Sequence, residues 1–250
     1  MNSRRSELLV LIALIVSGVA LYAVRWGIFA TPEYHSEMWR FLIGDVAFLL
    51  LQVAIVTLLI DRILRVREKR AMLQKLIMVI GAFFSEVGTE LLGRLAVADS
   101  ALDEVRDQLV PTAKWQPADY ARAGKAAQTH SATIDLSSCA LNELKAMLVR
   151  EKPFLLGLLG NQALLEHESF TELLWAVTHL AEELDARDTV EDLPAADRIH
   201  LAGDVKRAFT LLTGQWLEYV RHLQLAYPYL FSLAVRLNPL DPSASVTVKE

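Results

Sequence analysis

Apolar positions fall into two kinds of run along this chain. Residues 8–24 carry no charge and are interrupted only by Ser17 and Tyr22, and residues 41–60 have Asp45, Gln52 and Thr57 as their polar members. A helix needs about 20 apolar residues to cross about 30 Å of hydrocarbon, and inside lipid the backbone must close its own hydrogen bonds. The pattern predicts two spanning helices joined as a hairpin. Beyond residue 60 the apolar residues recur at three- and four-residue steps, the period of a helix with one buried face. Residues 61–98 contain no proline and keep that rhythm through Leu76, Ile80, Phe83, Phe84, Val87, Leu91 and Leu95, which predicts one continuous connecting helix. Leu76 to Phe84 is too short an apolar run before Glu86 and Glu90 to be a third span. It reads as a core helix or one lying on the bilayer surface. Gly81, Ser85 and Gly88 form a small-residue row of the kind that lets helices approach closely.

Residues 99–132 are looser, punctuated by Pro111, Trp115 and Pro117, and Pro117-Ala118-Asp119 has the form of a helix start. A helix is expected from Ser137 to Lys152, ended by Pro153. The clearest amphipathic helix spans Gln162 to Arg187, with Phe170, Leu173, Leu174, Val177, Ala181 and Leu184 in one arc. A polar connection follows. The last long helix is expected from Ala195 to Ala226, its core face built from Val205, Ala208, Phe209, Leu212, Trp216, Val220 and Leu223. A break at Pro228, a short helical piece to Leu237 and a frayed tail over residues 238–250 complete the reading. No run of strand period is present, so the fold class is all-α: the hairpin, residues 61–98 as a basic connecting helix, and residues 99–237 as a helical bundle.

Charge adds orientation. Residues 1–75 hold ten Lys/Arg against six Asp/Glu, a net of +4, and residues 76–250 hold fifteen against twenty-four, a net of −9. Arg4 and Arg5 precede the first span, while Arg62, Arg65, Arg67, Lys69 and Arg70 follow the second. Cytoplasmic flanks carry the excess of Lys and Arg, so both termini are expected inside the cell. The basic cluster is placed on anionic lipid headgroups, where each cation contributes about 1 kcal/mol. Trp26, Phe29, Tyr34 and Trp39 suit the opposite interface. A cleaved signal peptide is the rival reading of the first stretch, but its apolar core is long and a second span follows. The acidic remainder is a poor match for the phosphates of nucleic acid, and no nucleic-acid partner is expected. The single cysteine, Cys139, permits no internal disulfide or Cys-x-x-Cys pair, and its apolar, helical context reads as a buried packing thiol.

The stretches REKRAMLQKLIMVIGAFFSEVGTELL, residues 67–92, and YPYLFSLAVRLNP, residues 227–239, resemble segments of an uncharacterised group of prokaryotic membrane-anchored helical proteins. The resemblance implies the same architecture at a prokaryotic plasma membrane. It implies no activity, cofactor or site residue.

Two rows of polar residues are candidates for chemistry. Glu168, Glu172, His179 and Glu183 lie within a narrow arc at about 100° per residue. The arc is opposite Phe170, Leu174, Val177 and Leu184, so it is expected to face water. No glutamate has histidine three residues on, the signature of di-iron bundles. His200, Asp204, Arg207, Glu218 and His222 make a second row, largely away from the Val205–Leu223 side. A metal between the rows requires that they face each other across a second buried interface. Asp45 and Gln52 share a helix face, and hairpin packing or contacts between copies is preferred there to an ion path. Glu86 and Glu90 interrupt an apolar helix and are expected to mark its exit from the bilayer surface or to meet basic neighbours. Phosphate-loop, nucleophile-elbow, dinucleotide and zincin motifs are absent. The expectation is a membrane-tethered interaction or scaffolding protein, self-associating as a homo-oligomer, with no assigned catalytic, cofactor-binding or metal residue. A metal- or ligand-binding sensor or enzyme using the Glu/His rows is the alternative, and a channel component the third class.

Overall fold

The computed structural model describes residues 32–137, 139–161, 164 and 167–247, with isolated positions at 16, 19, 20, 23, 24 and 27. The expected first span, residues 8–24, therefore lies largely outside the described residues. Among those described the structure is all-α, with one isolated antiparallel bridge between Asp99 and Ile134 in place of any strand. The chain divides into two compact units, Met1–Lys69 and Arg70–Glu250.

Helix α1 covers Pro32–Phe83, 52 residues. It begins ahead of the apolar run at Phe41, inside the segment expected to be a loop. Within the first unit its described apolar side chains, Leu42 apart, are exposed, among them Phe41, Phe48, Leu58 and Ile63.

The second unit carries the core. Residues 61–98 are helical throughout but not uniformly α: Phe84–Gly88 forms a π-turn before α2, Thr89–Ala98. The Phe84 carbonyl accepts from both the Thr89 backbone N–H and, at 2.7 Å, the Thr89 hydroxyl. The extra residue in that turn brings Phe83, Phe84, Val87 and Gly88 inward together, and all four are buried. A π-turn is rare and costs hydrogen-bond quality. Here the return is an aromatic knot. Phe84 stacks on Tyr219 at 5.1 Å and meets Trp216 edge-on at 5.3 Å, while Phe83 meets Phe170 edge-on at 5.4 Å.

Helices α3 (Arg106–Leu109), α4 (Pro117–Thr129), α5 (Leu141–Leu159), α6 (Glu168–Asp185), α7 (Ala195–Ala226) and α8 (Pro228–Arg236) complete the unit. The 32-residue α7 is the hub, packed against α2, α4, α6 and α8, while α5 packs on the other side of α6. The Asp119 carboxylate caps α4 by accepting the Gln116 N–H at 2.6 Å. Pro153 lies inside α5 and does not end it. The side chain is exposed, and the carbonyl it frees, on Val149, belongs to an exposed residue. Leu155 and Leu158 beyond it are buried with Leu144, Met147 and Leu148, and that burial carries the helix past the proline.

Cys139 is buried as expected, but in a bend before α5 and not in a helix. After α8, Asn238 and Leu240 are buried, and Arg106 Nη1 donates to the Leu240 carbonyl. The small-residue row is consumed inside the unit. A Cβ on Gly81 would touch Tyr219 at 3.6 Å, and one on Gly88 would sit 2.6 Å from the Phe83 ring.

Lys75–Ala98 is, among the described residues, the one helical stretch long and apolar enough to cross a membrane by length and composition. Its residues Leu76, Ile80, Phe83, Val87, Leu91 and Leu95 are buried in the core of the second unit, which marks it as a core helix.

Candidate functional site

Helices α6 and α7 run antiparallel: Ser169 meets Gln215 at one end, with the amide donating to the hydroxyl at 3.0 Å, and Glu183 approaches His200 at the other. The short connection between them is locked by Arg187. Its Nε and Nη2 donate to the two Asp197 carboxylate oxygens at 3.0 and 2.6 Å, and its Nη1 donates to Glu183 Oε2 at 2.8 Å. Lys145 of α5 donates to the Arg187 carbonyl from the other side. Asp192 takes the one positive φ among described non-glycine residues, 54°, in the same connection, a conformation aspartate accepts more readily than most residues.

Above this clasp the two polar rows converge. His200 Nε2 is 3.4 Å from Asp204 Oδ2 and 3.6 Å from Glu183 Oε2. His179 Nε2 is 3.7 Å from Asp204 Oδ2 and 3.9 Å from Glu183 Oε1. Donor atoms of Glu183, His200 and Asp204 lie within 4.8 Å of one another. Asp204 is buried, and its Oδ2 makes no hydrogen bond. Both imidazoles are about half exposed, so one side of the group is open to solvent. Arg187 holds the Glu183 carboxyl below the usual carboxylate range by its hydrogen bond, against the opposing effect of burial, and His200 and His179 pull in the same direction as Arg187.

This arrangement corrects the expectation that both rows face water. The antiparallel crossing leaves Glu168 and Glu172 exposed but folds the C-terminal half of the first row, His179 and Glu183, against the N-terminal part of the second. The rest of the second row does not join. Arg207 Nη1 is 4.0 Å from Asp204 Oδ1, Glu218 pairs with Arg221 at 2.8 Å, and His222 packs near Tyr227. Burial lowers the His222 pKa, with Arg221 adding to it. Glu86 is exposed, and Glu90 pairs with Arg94, which also reaches Glu143 of α5 at 2.8 Å.

Two further features of the second unit escaped the periodicity. His130 Nε2 lies 2.6 Å from Asp99 Oδ2 with both side chains buried, and Asp99 Oδ1 also accepts from the N–H groups of Ala101 and Thr133. This closed pair fastens the end of α2 to the segment after α4. A cavity of about 300 Å³ lies beside the π-turn, lined by Phe84, Ser85, Trp216, Tyr219, Leu230 and Leu233.

These features define an all-α protein in which a central antiparallel helix pair carries a carboxylate–imidazole group. The chain belongs to the MJ1433 family: residues 72–236 match the family described as "Uncharacterized protein MJ1433, C-terminal helical domain", and residues 2–64 match "MJ1433, N-terminal helical domain". It is 40% identical over 250 residues to "Uncharacterized protein MJ1433" of Methanocaldococcus jannaschii, covering 100% of this chain and 99% of that one. No solved structure matches the chain.

Proposed function

We propose that the protein is a membrane-tethered helical protein, anchored by its first unit, whose second unit works as an interaction domain at the inner face of the membrane. The observation that carries this is the surface of α1 between Phe41 and Ile60. Phe48 is 67%, Leu58 66% and Phe41 62% exposed, with Leu49, Leu51, Val53, Ile55 and Ile60 exposed around them. A contiguous apolar surface of this length is a liability in water and an anchor in lipid. Arg62, Arg65 and Arg67 are exposed directly after it, at the position headgroup-binding cations occupy; the Lys69 and Arg70 side chains lie outside the described residues. Self-association belongs to the same reading and is assigned to the anchor, because Gly81 and Gly88 are already occupied within the second unit.

The test is extraction of membranes from cells making the full chain. Tethering predicts that the protein stays in the pellet through high salt and alkaline carbonate and is released by detergent. Release by salt alone overturns the reading. Cross-linking in the same membranes is expected to yield a discrete oligomer, and a strictly monomeric result removes the self-association.

A further inference from the structure

We infer that His179, Glu183, His200 and Asp204 form a binding site for one divalent transition-metal cation of the zinc type, held between α6 and α7. The inference does not depend on membrane tethering.

The spacing is the first argument. The four imidazole–carboxylate separations are 3.4, 3.6, 3.7 and 3.9 Å. Hydrogen bonds between such groups are about 2.7–3.2 Å long. The same protein shows what a closed pair looks like, at 2.6 Å between His130 and Asp99. The α6–α7 groups do not touch. Donor atoms of Glu183, His200 and Asp204 lie within 4.8 Å of one another, and His179 stands beside them within 4 Å of both carboxylates. Zinc ligands sit about 2.0–2.2 Å from the ion, so tetrahedral ligands are about 3.3–3.6 Å from each other. The four imidazole–carboxylate separations need a contraction of only a few tenths of an ångström to meet that geometry, and His179 swings in with the ion to complete it.

Asp204 supplies an independent argument. Its side chain is 6% exposed, and Oδ2, the oxygen facing both imidazoles, has no hydrogen-bond donor. A buried carboxylate oxygen without a partner is costly, and a cation at the centre of the group satisfies it. The donor set narrows the choice. Imidazole nitrogens with carboxylate oxygens suit zinc and its first-row neighbours, while magnesium and calcium prefer all-oxygen sites. Arg187 acts as a positioning residue: it fixes one Glu183 oxygen, and its own charge is matched by Asp197. The half-exposed imidazoles give the ion an entry path from solvent.

The experiment uses the full-length protein in mild detergent, stripped with chelator and dialysed. Titration with zinc is expected to reach one equivalent per chain, and cobalt(II) in its place is expected to give the visible absorption bands of a four- or five-coordinate site. Magnesium at the same concentrations leaves both signals unchanged. His179→Ala and His200→Ala, at partly exposed positions that do not threaten folding, each weaken zinc binding at least about tenfold; the double variant abolishes the cobalt bands, and Asp204→Asn does the same where it folds. His167→Ala, outside the group, retains full binding. Absence of stoichiometric zinc in the wild type, or binding undiminished in the double histidine variant, overturns the inference.

Discussion

At the scale of single residues, Gly88 and Tyr120 show how closely the second unit is filled. A methyl group at residue 88 would lie 2.6 Å from one buried phenylalanine ring and 2.7 Å from the next. The Phe83 ring is 0% exposed and packed edge-on against Phe170, so it must shift against that neighbour to admit the methyl group. Gly88→Ala is expected to cost about 1–3 kcal/mol, the range for overpacking, despite the better helix propensity of alanine. Chemical denaturation would measure it, and an unchanged midpoint would mean that the π-turn relaxes without loss. Tyr120 presents the opposite case. Its ring is buried and its hydroxyl makes no hydrogen bond. Burial pushes the phenol up to about 12, partly countered by Arg221. A pKa raised on folding gives stability that is complete below the unfolded value of about 10 and is lost as pH rises through the folded one. Tyr120→Phe should remove that alkaline loss and leave stability at neutral pH equal or higher by up to about 1 kcal/mol. A large destabilisation on this change would reveal a hydrogen bond to the hydroxyl.

At the scale of elements, the Arg187 clasp decides how α6 and α7 meet. Hydrogen bonding to Arg187 holds both Asp197 and Glu183 below the usual carboxylate range. Carboxylates depressed on folding give stability that is present above their unfolded values near pH 4 and is lost as pH falls through the folded ones. The wild type should therefore lose thermal stability progressively below about pH 4, and Arg187→Gln should flatten that dependence while lowering the melting temperature at pH 7. An identical acid profile in the variant would show that the clasp carries no folding energy. The same helices mark where sequence reading works and where it stops. Helix α7 is bounded by Ala195 and Ala226, and both ends were legible, because a proline stands before the first and Pro228 follows the second. The phase of α6 was equally legible: Phe170, Leu173, Leu174, Val177, Ala181 and Leu184 are all buried. Periodicity describes one helix against one average neighbour, however. It grouped His179 and Glu183 in one arc of α6 facing away from that helix's core side, and could not show that α7 passes along that edge. The π-turn escaped for a related reason. Phe83, Phe84, Val87 and Gly88 satisfy the three- and four-residue rhythm of an ordinary helix, and the extra residue is needed only because Trp216, Tyr219 and Phe170 arrive from elsewhere in the chain.

At the scale of the whole molecule, the two compact units imply different relations to solvent, and dividing the chain between them separates the sources of membrane affinity. The second unit, from Arg70, contains the whole of the buried cluster that begins at Leu76 and ends at Leu240. A core of that extent satisfies the requirement for independent folding. The fragment 70–250 is therefore expected to remain in the soluble fraction, to keep its helical circular dichroism and to melt cooperatively. Its acidic charge favours solubility as well. The full chain is expected in the membrane pellet. The contrast is informative because Lys75–Ala98 is itself apolar enough to span. Were that stretch in lipid, its buried face, including Leu76, Phe83, Leu91 and Leu95, would be torn from α7, and the fragment would either aggregate or insert. Fragment in solution and full chain in the pellet assigns anchoring to the residues before Arg70. Fragment and full chain both resisting carbonate would move the anchor to Lys75–Ala98, and the buried core around Phe83 would then have to be rebuilt.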